Sequence, residues 1–220
     1  MSTLTTNYLD IIERLPAGAL LRLPNVDWDE YEHLLSQMEM YPGHRLSYDC
    51  GRLIIVSPSP EHEDYKEFIY SLARIISLET GVMLETRGAA TFKSNKLLKG
   101  AEPDTCFYVQ NAAHVVGKRR IDLNTDPPPD LVVEIDLSHD SLYKLPIYAA
   151  LGVPEIWRYD AKSTHFYKLT GENYEVTQNS LAFPTLTAQD LTQYLERSKV
   201  EGQTVVLAAF LQKLRSRASS

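Results

Sequence analysis

The chain lacks several things that would have placed it quickly. Across 220 residues it has only two cysteines, Cys50 and Cys106, which form no CxxC and sit near no histidine at metal-ligand spacing. They read as reduced thiols, and a zinc cage has no ligand set. No apolar run reaches membrane-span length, and "MSTLTTNYLD" has no basic stretch followed by an apolar one, so neither a span nor a secretory leader is expected and a cytoplasmic location is the default. An excess of positive charge is missing too. The formal net charge is −7, which argues against a surface devoted wholly to nucleic acid.

What is present is one domain's worth of chain, 44% hydrophobic and 23% charged, enough to bury a core. Positive residues are clustered: Lys93, Lys96 and Lys99 before "AEPD", Lys118 to Arg120 in "GKRR", and Lys213, Arg215 and Arg217 near the end. Each cluster serves equally as a solvated face or as a place for phosphate.

Periodicity supplies the elements. Residues 1–25 give no strong pattern and read as a partly loose N-terminal segment. "DWDEYEHLLSQM" starts like a capping box and continues as a short helix, and "HRLSYDCGRLIIVSP" reads as a hairpin about Cys50-Gly51. A long helix follows in "EHEDYKEFIYSLARIISLETG", with Tyr65, Phe68, Ile69, Leu72, Ile75 and Ile76 on one face and Gly81 to stop it. Strands are expected in "GVMLETRGAATFK" and "PDTCFYVQ", then a polar connection over 110–129. "DLVVEIDL" is apolar on both faces, as a central strand is. "SLYKLPIYAALG" is a helix whose Pro146 calls for a late start or a kink, and further strands and two helices near 187–198 and 201–216 complete a mixed α/β (α+β) domain with a central mixed sheet flanked by helices.

Strand alternation puts Glu134 and Asp136 on one face, and Asp104, after Pro103, opens a neighbouring strand candidate. If those strands pair, three carboxylates converge. Two carboxylates about 4 Å apart repel by roughly 4 kcal/mol at an effective dielectric near 20, which a proton or a cation must relieve. An all-oxygen site suits Mg²⁺ or Mn²⁺ and phosphodiester hydrolysis, with Lys144 available to orient water and face developing negative charge. The same residues serve a plainer fold, in which a strand Glu pairs with an Arg and an Asp after Pro makes a turn. "SHD" at 138–140 has no nucleophile-elbow pattern and reads as helix-capping chemistry. Trp157, Tyr159, Phe166 and Tyr167 read as packing rather than as a stacking platform.

Pro103-Asp104 followed by Glu134 in "VVEI" resembles the PD-(D/E)XK nuclease superfamily, and "GRLIIVSPSPEHE", "KGAEPDTCFYV" and "PDLVVEIDLSHDSLYKLPIYAALGVPEIWRYD" are similar to the Uma2 family of restriction-endonuclease-like proteins. The resemblance spans about residues 25–180, with 181–220 as a helical extension. It implies a restriction-endonuclease-like core, Mg²⁺ (or Mn²⁺) as cofactor, DNA as substrate and a homodimer for cutting both strands. On this resemblance Asp104, Glu134 and Lys144 are the catalytic residues, and Asp104, Glu134, Asp136 and Glu63 the metal ligands. Two departures stand out. Asp136 occupies the usual lysine position, and Lys144 on the following helix matches its replacement. Helical phase brings Glu61 and His62 nearer the apolar face than Glu63. A noncatalytic relative that binds nucleic acid or protein, and a different metal-dependent phosphoesterase, remain open alternatives.

Overall fold

Chain order alternates helices with short strands, and the computed structural model describes residues 5–38 and 43–218. α1 (Thr5–Glu13) and β1 (Leu20–Leu23) precede α2 (Trp28–Met38), the hairpin β2 (Arg45–Asp49) and β3 (Arg52–Val56), and the long α3 (Pro60–Thr80). Then come β4 (Glu85–Thr86), β5 (Phe92–Ser94), β6 (Lys99–Ala101), β7 (Thr105–Tyr108), α4 (Ala112–Val115) and β8 (Leu131–Ile135). A 3₁₀ turn over Leu142–Lys144 runs into α5 (Leu145–Ala150). β9 (Glu155–Tyr159), β10 (Thr164–Thr170), β11 (Asn173–Thr177), α6 (Ala188–Glu201) and α7 (Gln203–Ala218) complete the fold.

Local chemistry explains the boundaries. Asp27 accepts the Glu30 amide at 2.7 Å to start α2, and Thr187 accepts the Asp190 amide at 3.0 Å to start α6. The β2–β3 turn places Cys50 and Gly51 at φ 46° and 91°, the double positive-φ geometry that a two-residue hairpin requires. Pro146 is the second residue of α5, where its missing N–H leaves no helical bond unmade; the helix is entered through the 3₁₀ turn rather than kinked. The first 25 residues, which show no periodicity, contain α1 and β1, and β1 pairs along the edge of β3. α4 lies within the stretch read as a polar connection.

Among the described residues the strands form two sheets, β1-β3-β2-β6-β5 and β11-β10-β9-β8-β7-β4. In the larger sheet β7 runs antiparallel to β8, with Thr105 opposite Val133, while β8 and β9 are parallel and joined through α5. It is therefore a mixed sheet. Leu131, Val133 and Ile135 of β8 face a core shared with α3, α6 and α7, so the C-terminal helices are part of the same packed unit. Val132 faces the opposite layer, with Ile147 and Tyr148 of α5. This explains why β8 reads as a continuous apolar run: both of its faces are covered.

Candidate active site

Glu134 follows Val132 on the α5 side of β8, among apolar side chains, and is only 3% exposed. Its carboxylate is met from the 3₁₀ turn and α5. Lys144 Nζ lies 2.8 Å from Oε2 and 3.1 Å from Oε1, and the Tyr148 hydroxyl donates to Oε1. Lys144 and Tyr148 are four residues apart, one helical turn, so both reach the same acceptor. Lys144 also donates to the Glu102 carbonyl at 3.2 Å.

Asp104 sits just before β7, where the antiparallel pairing brings it beside the end of β8. Oδ2 accepts the Ile135 amide at 2.7 Å and faces His62 Nε2 at 3.1 Å. A carboxylate oxygen accepts, so Nε2 of His62 carries the hydrogen. Oδ1 has no hydrogen-bond partner among the described residues.

The electrostatics separate the two carboxylates. Burial pushes Glu134 up to about 7; the Lys144 ammonium opposes this and the Asp104 charge reinforces it. Burial acts on Asp104 in the same sense, but the hydrogen bond and charge of His62, with Lys144 and the Ile135 amide, hold it below its ordinary value. Burial alone would lower Lys144. The charges of Glu134, Tyr143 and Asp104 outweigh it, and the amine is held protonated above its usual range.

Asp136 shares the face of Glu134, as strand parity requires, but has other partners. Arg158 of β9 donates to Oδ2, and the Ser141 amide donates to the same oxygen at 2.9 Å. The acid at the usual lysine position is thus matched by an arginine from the neighbouring strand.

Glu63 does not join the group. Its carboxylate takes Lys66 and lies 3.7 Å from Arg45, with the side chain 46% exposed. The first turn of α3 is helical from Pro60, so phase turns His62 toward Asp104 and Glu63 outward. Glu61 is engaged by the Tyr65 hydroxyl at 2.9 Å.

Asp104, Glu134, Asp136, His62 and Lys144 line one cleft. Its free volume is about 30 Å³, room for a water or two but not for a nucleotide. "SHD" forms part of the rim: His139 Nε2 donates to the Gly18 carbonyl at 2.8 Å, and Asp140 accepts the Leu142 amide at 3.3 Å. Gly18 has φ 79°, and a Cβ there would stand 3.1 Å from the Ser138 hydroxyl, so the crossing suits glycine on two counts.

Other buried carboxylates are structural. Glu155 accepts from the Leu181 and Ala182 amides, Ser180 and Trp157, and Asp130 takes the amides of Val109 and Asn111. Trp157, Tyr159 and Phe166 are buried core, as read from the sequence. Tyr148 and Arg158 were not picked out from the sequence. The spacing of four from Lys144 was the available signal for Tyr148; Arg158 had none.

The donor set suits an open divalent-ion site better than a closed cage. No three His, Cys, Asp or Glu side chains among the described residues form a ready cage. Mg²⁺ is commonly held by one or two carboxylates, with water and substrate phosphate completing its shell. Asp104 Oδ1, without a hydrogen-bond partner among the described residues, offers one such oxygen, and Glu134 lines the same cleft with both oxygens engaged by Lys144 and Tyr148, so the pair fits an ion of this kind only if Lys144 gives up part of its contact. A closed zinc cage has no ligand set there.

The Uma2 family model, described as "Putative restriction endonuclease", matches residues 28–199. No curated protein matches the chain. Among solved structures, one described as "a putative nuclease belonging to DUF820" from Anabaena variabilis ATCC 29413 superposes with a TM-score of 0.47 at 17% identity. The match covers 68% of this chain and 90% of that one, a likeness too slight to argue from.

Proposed function

The chain belongs to the Uma2 family of restriction-endonuclease-like proteins, and from that premise we propose that it is a metal-dependent endonuclease hydrolysing DNA phosphodiester bonds. The observation that carries the reading is the 2.8 Å contact of Lys144 with Glu134 on the cleft that Asp104 also lines.

Asp104 and Glu134 would hold Mg²⁺ or Mn²⁺. When bound, such an ion polarises a phosphoryl oxygen and lowers the pKa of an attacking water. Lys144, kept protonated, releases its hold on the ionised Glu134 in part, orients that water, and faces the negative charge that grows on the phosphorus oxygens. His62 fixes the Asp104 carboxylate through Oδ2 and leaves Oδ1 available. Tyr148 steadies Glu134 in its ionised form. We assign Asp136 to Arg158 and the Ser141 turn, and Glu63 to Lys66 and Arg45, rather than to the ion.

Residues 26–180 carry the proposed nuclease core, with 181–220 as its helical extension. One such site cuts one strand, so cutting both takes a homodimer or sequential nicking. Among the described residues no helix is long and apolar enough to cross a membrane.

The experiment is nicking of supercoiled plasmid with Mg²⁺ or Mn²⁺ by the wild type, Asp104→Ala and Lys144→Ala. Nicking by the wild type alone supports the reading; nicking that survives both substitutions refutes the assignment. A second reading, a degenerate nuclease fold that only binds, is favoured by one observation: both Glu134 oxygens are engaged by Lys144 and Tyr148. Absence of nicking together with absence of calorimetric metal binding would select it.

A further inference from the structure

The 30 Å³ cleft is too small to supply the binding energy for a nucleic acid, so a nuclease built on it must hold its substrate elsewhere. A second cavity, of about 680 Å³, adjoins it, and Arg45 lines both. This larger cavity is basic although the chain carries a net charge of −7. Arg45, Arg87, Lys93, Arg119 and Arg120 line it, against the acids Glu32 and Glu102.

Both acids are engaged. Glu32 takes Lys93, and Glu102 accepts the Leu46 amide at 2.8 Å and the Thr91 hydroxyl. The remaining lining is rich in donors. Arg87 faces Glu85 at 3.0 Å and Arg45 lies 3.7 Å from Glu63, yet among the described residues Arg45 Nε and Arg87 Nε are buried without a hydrogen-bond partner, as are both ring nitrogens of His44, another lining residue. Buried polar atoms without partners are rare in a finished core, and a bound ion or other charged group is one account of them. Arg87 also donates to the carbonyl of Val115, tying down the start of the loop that carries the exposed Arg119 and Arg120. A concave site with one dominant sign of charge concentrates counter-charge, and phosphate oxygens are acceptors of the matching sign.

We propose that this cavity, from Arg45 to Arg119 and Arg120, binds the phosphate backbone of duplex DNA beside the position that the cleft would cut. The proposal rests on the nuclease reading for its choice of polyanion. The cavity then supplies affinity that the cleft lacks, and Arg45 marks where the strand passes from one to the other.

The test uses the full chain and a fluorescent duplex in EDTA, so that binding is read without cleavage. Anisotropy is followed across a salt series for the wild type, Arg119→Ala/Arg120→Ala, and Lys162→Ala/Lys168→Ala. The last pair lies on exposed positions of the β9–β10 turn and β10, outside the cavity lining, and removes the same charge. The cavity variant should bind about tenfold more weakly at moderate salt and lose about 1 to 2 from the slope of log K against log salt, while the control stays near wild type. Wild type that does not bind, a cavity variant with unchanged affinity and slope, or a control that loses as much would each overturn the proposal. Plasmid nicking separates the two claims. Binding that depends on Arg119 and Arg120 without nicking leaves this site standing and removes the endonuclease, whereas nicking with salt-independent binding does the reverse.

Discussion

Lys144 holds Glu134 across ten residues of chain, its ammonium 2.8 Å from one carboxylate oxygen and 3.1 Å from the other, with both side chains almost wholly buried. A buried ion pair of this kind is weak evidence for net stability, because desolvation offsets much of the attraction. It is strong evidence for interdependence. Removing either partner strands the other.

Lys144→Ala should therefore lower stability by about 3–5 kcal/mol at pH 8, where Glu134 would be ionised and unpaired. The loss should shrink toward pH 5, because Glu134 can then take a proton. Urea denaturation at the two pH values checks both the size and its direction. An equal loss at both would mean that Glu134 does not depend on the lysine for its charge.

Glu134 has a folded-state pKa near 7 against an ordinary value of 4.5. The folded chain thus binds a proton between about pH 4.5 and 7 that the unfolded chain does not. Stability falls as pH rises through that window, by up to about 3 kcal/mol, and levels off above it. Glu134→Gln should flatten this slope. Asp104 works the other way: its depressed pKa contributes stability that is present above about pH 4 and lost as pH falls through the folded value.

If ionised Glu134 holds the cation, nicking should rise with pH on a limb near 7 in limiting Mg²⁺, and the limb should move lower as Mg²⁺ increases. Tyr148→Phe removes a hydrogen bond that favours the ionised form and should move the limb higher while costing about 1 kcal/mol of stability. A limb that ignores both Mg²⁺ and Tyr148 would remove Glu134 from the reaction.

Mg²⁺ at about a hundred times its dissociation constant should stabilise the wild type by about 2.7 kcal/mol, read as a rise in Tm. Glu134→Gln and Asp104→Ala should show little or none of it. Glu63→Gln should keep the full rise, since its carboxylate faces Lys66 and Arg45. Loss of the rise in Glu63→Gln would restore Glu63 as a ligand.

Local facts could be read from the chain: the turn at Cys50-Gly51, the apolar face and stop of α3, the covered strand β8, the common face of Glu134 and Asp136, and a lysine in the turn that follows the strand. Alternation of period two and helical phase are set by the chain's own geometry, so they are legible in one dimension. The rest came from packing between distant segments. Strand order set Asp104 beside Ile135 and Arg158 against Asp136, the packing of α3 presented His62 in place of Glu63, and the approach of β2 put Arg45 on two cavities at once. Those partners lie tens of residues apart, and what joins them is burial of both faces of a sheet, a condition on the whole chain that no local spacing records.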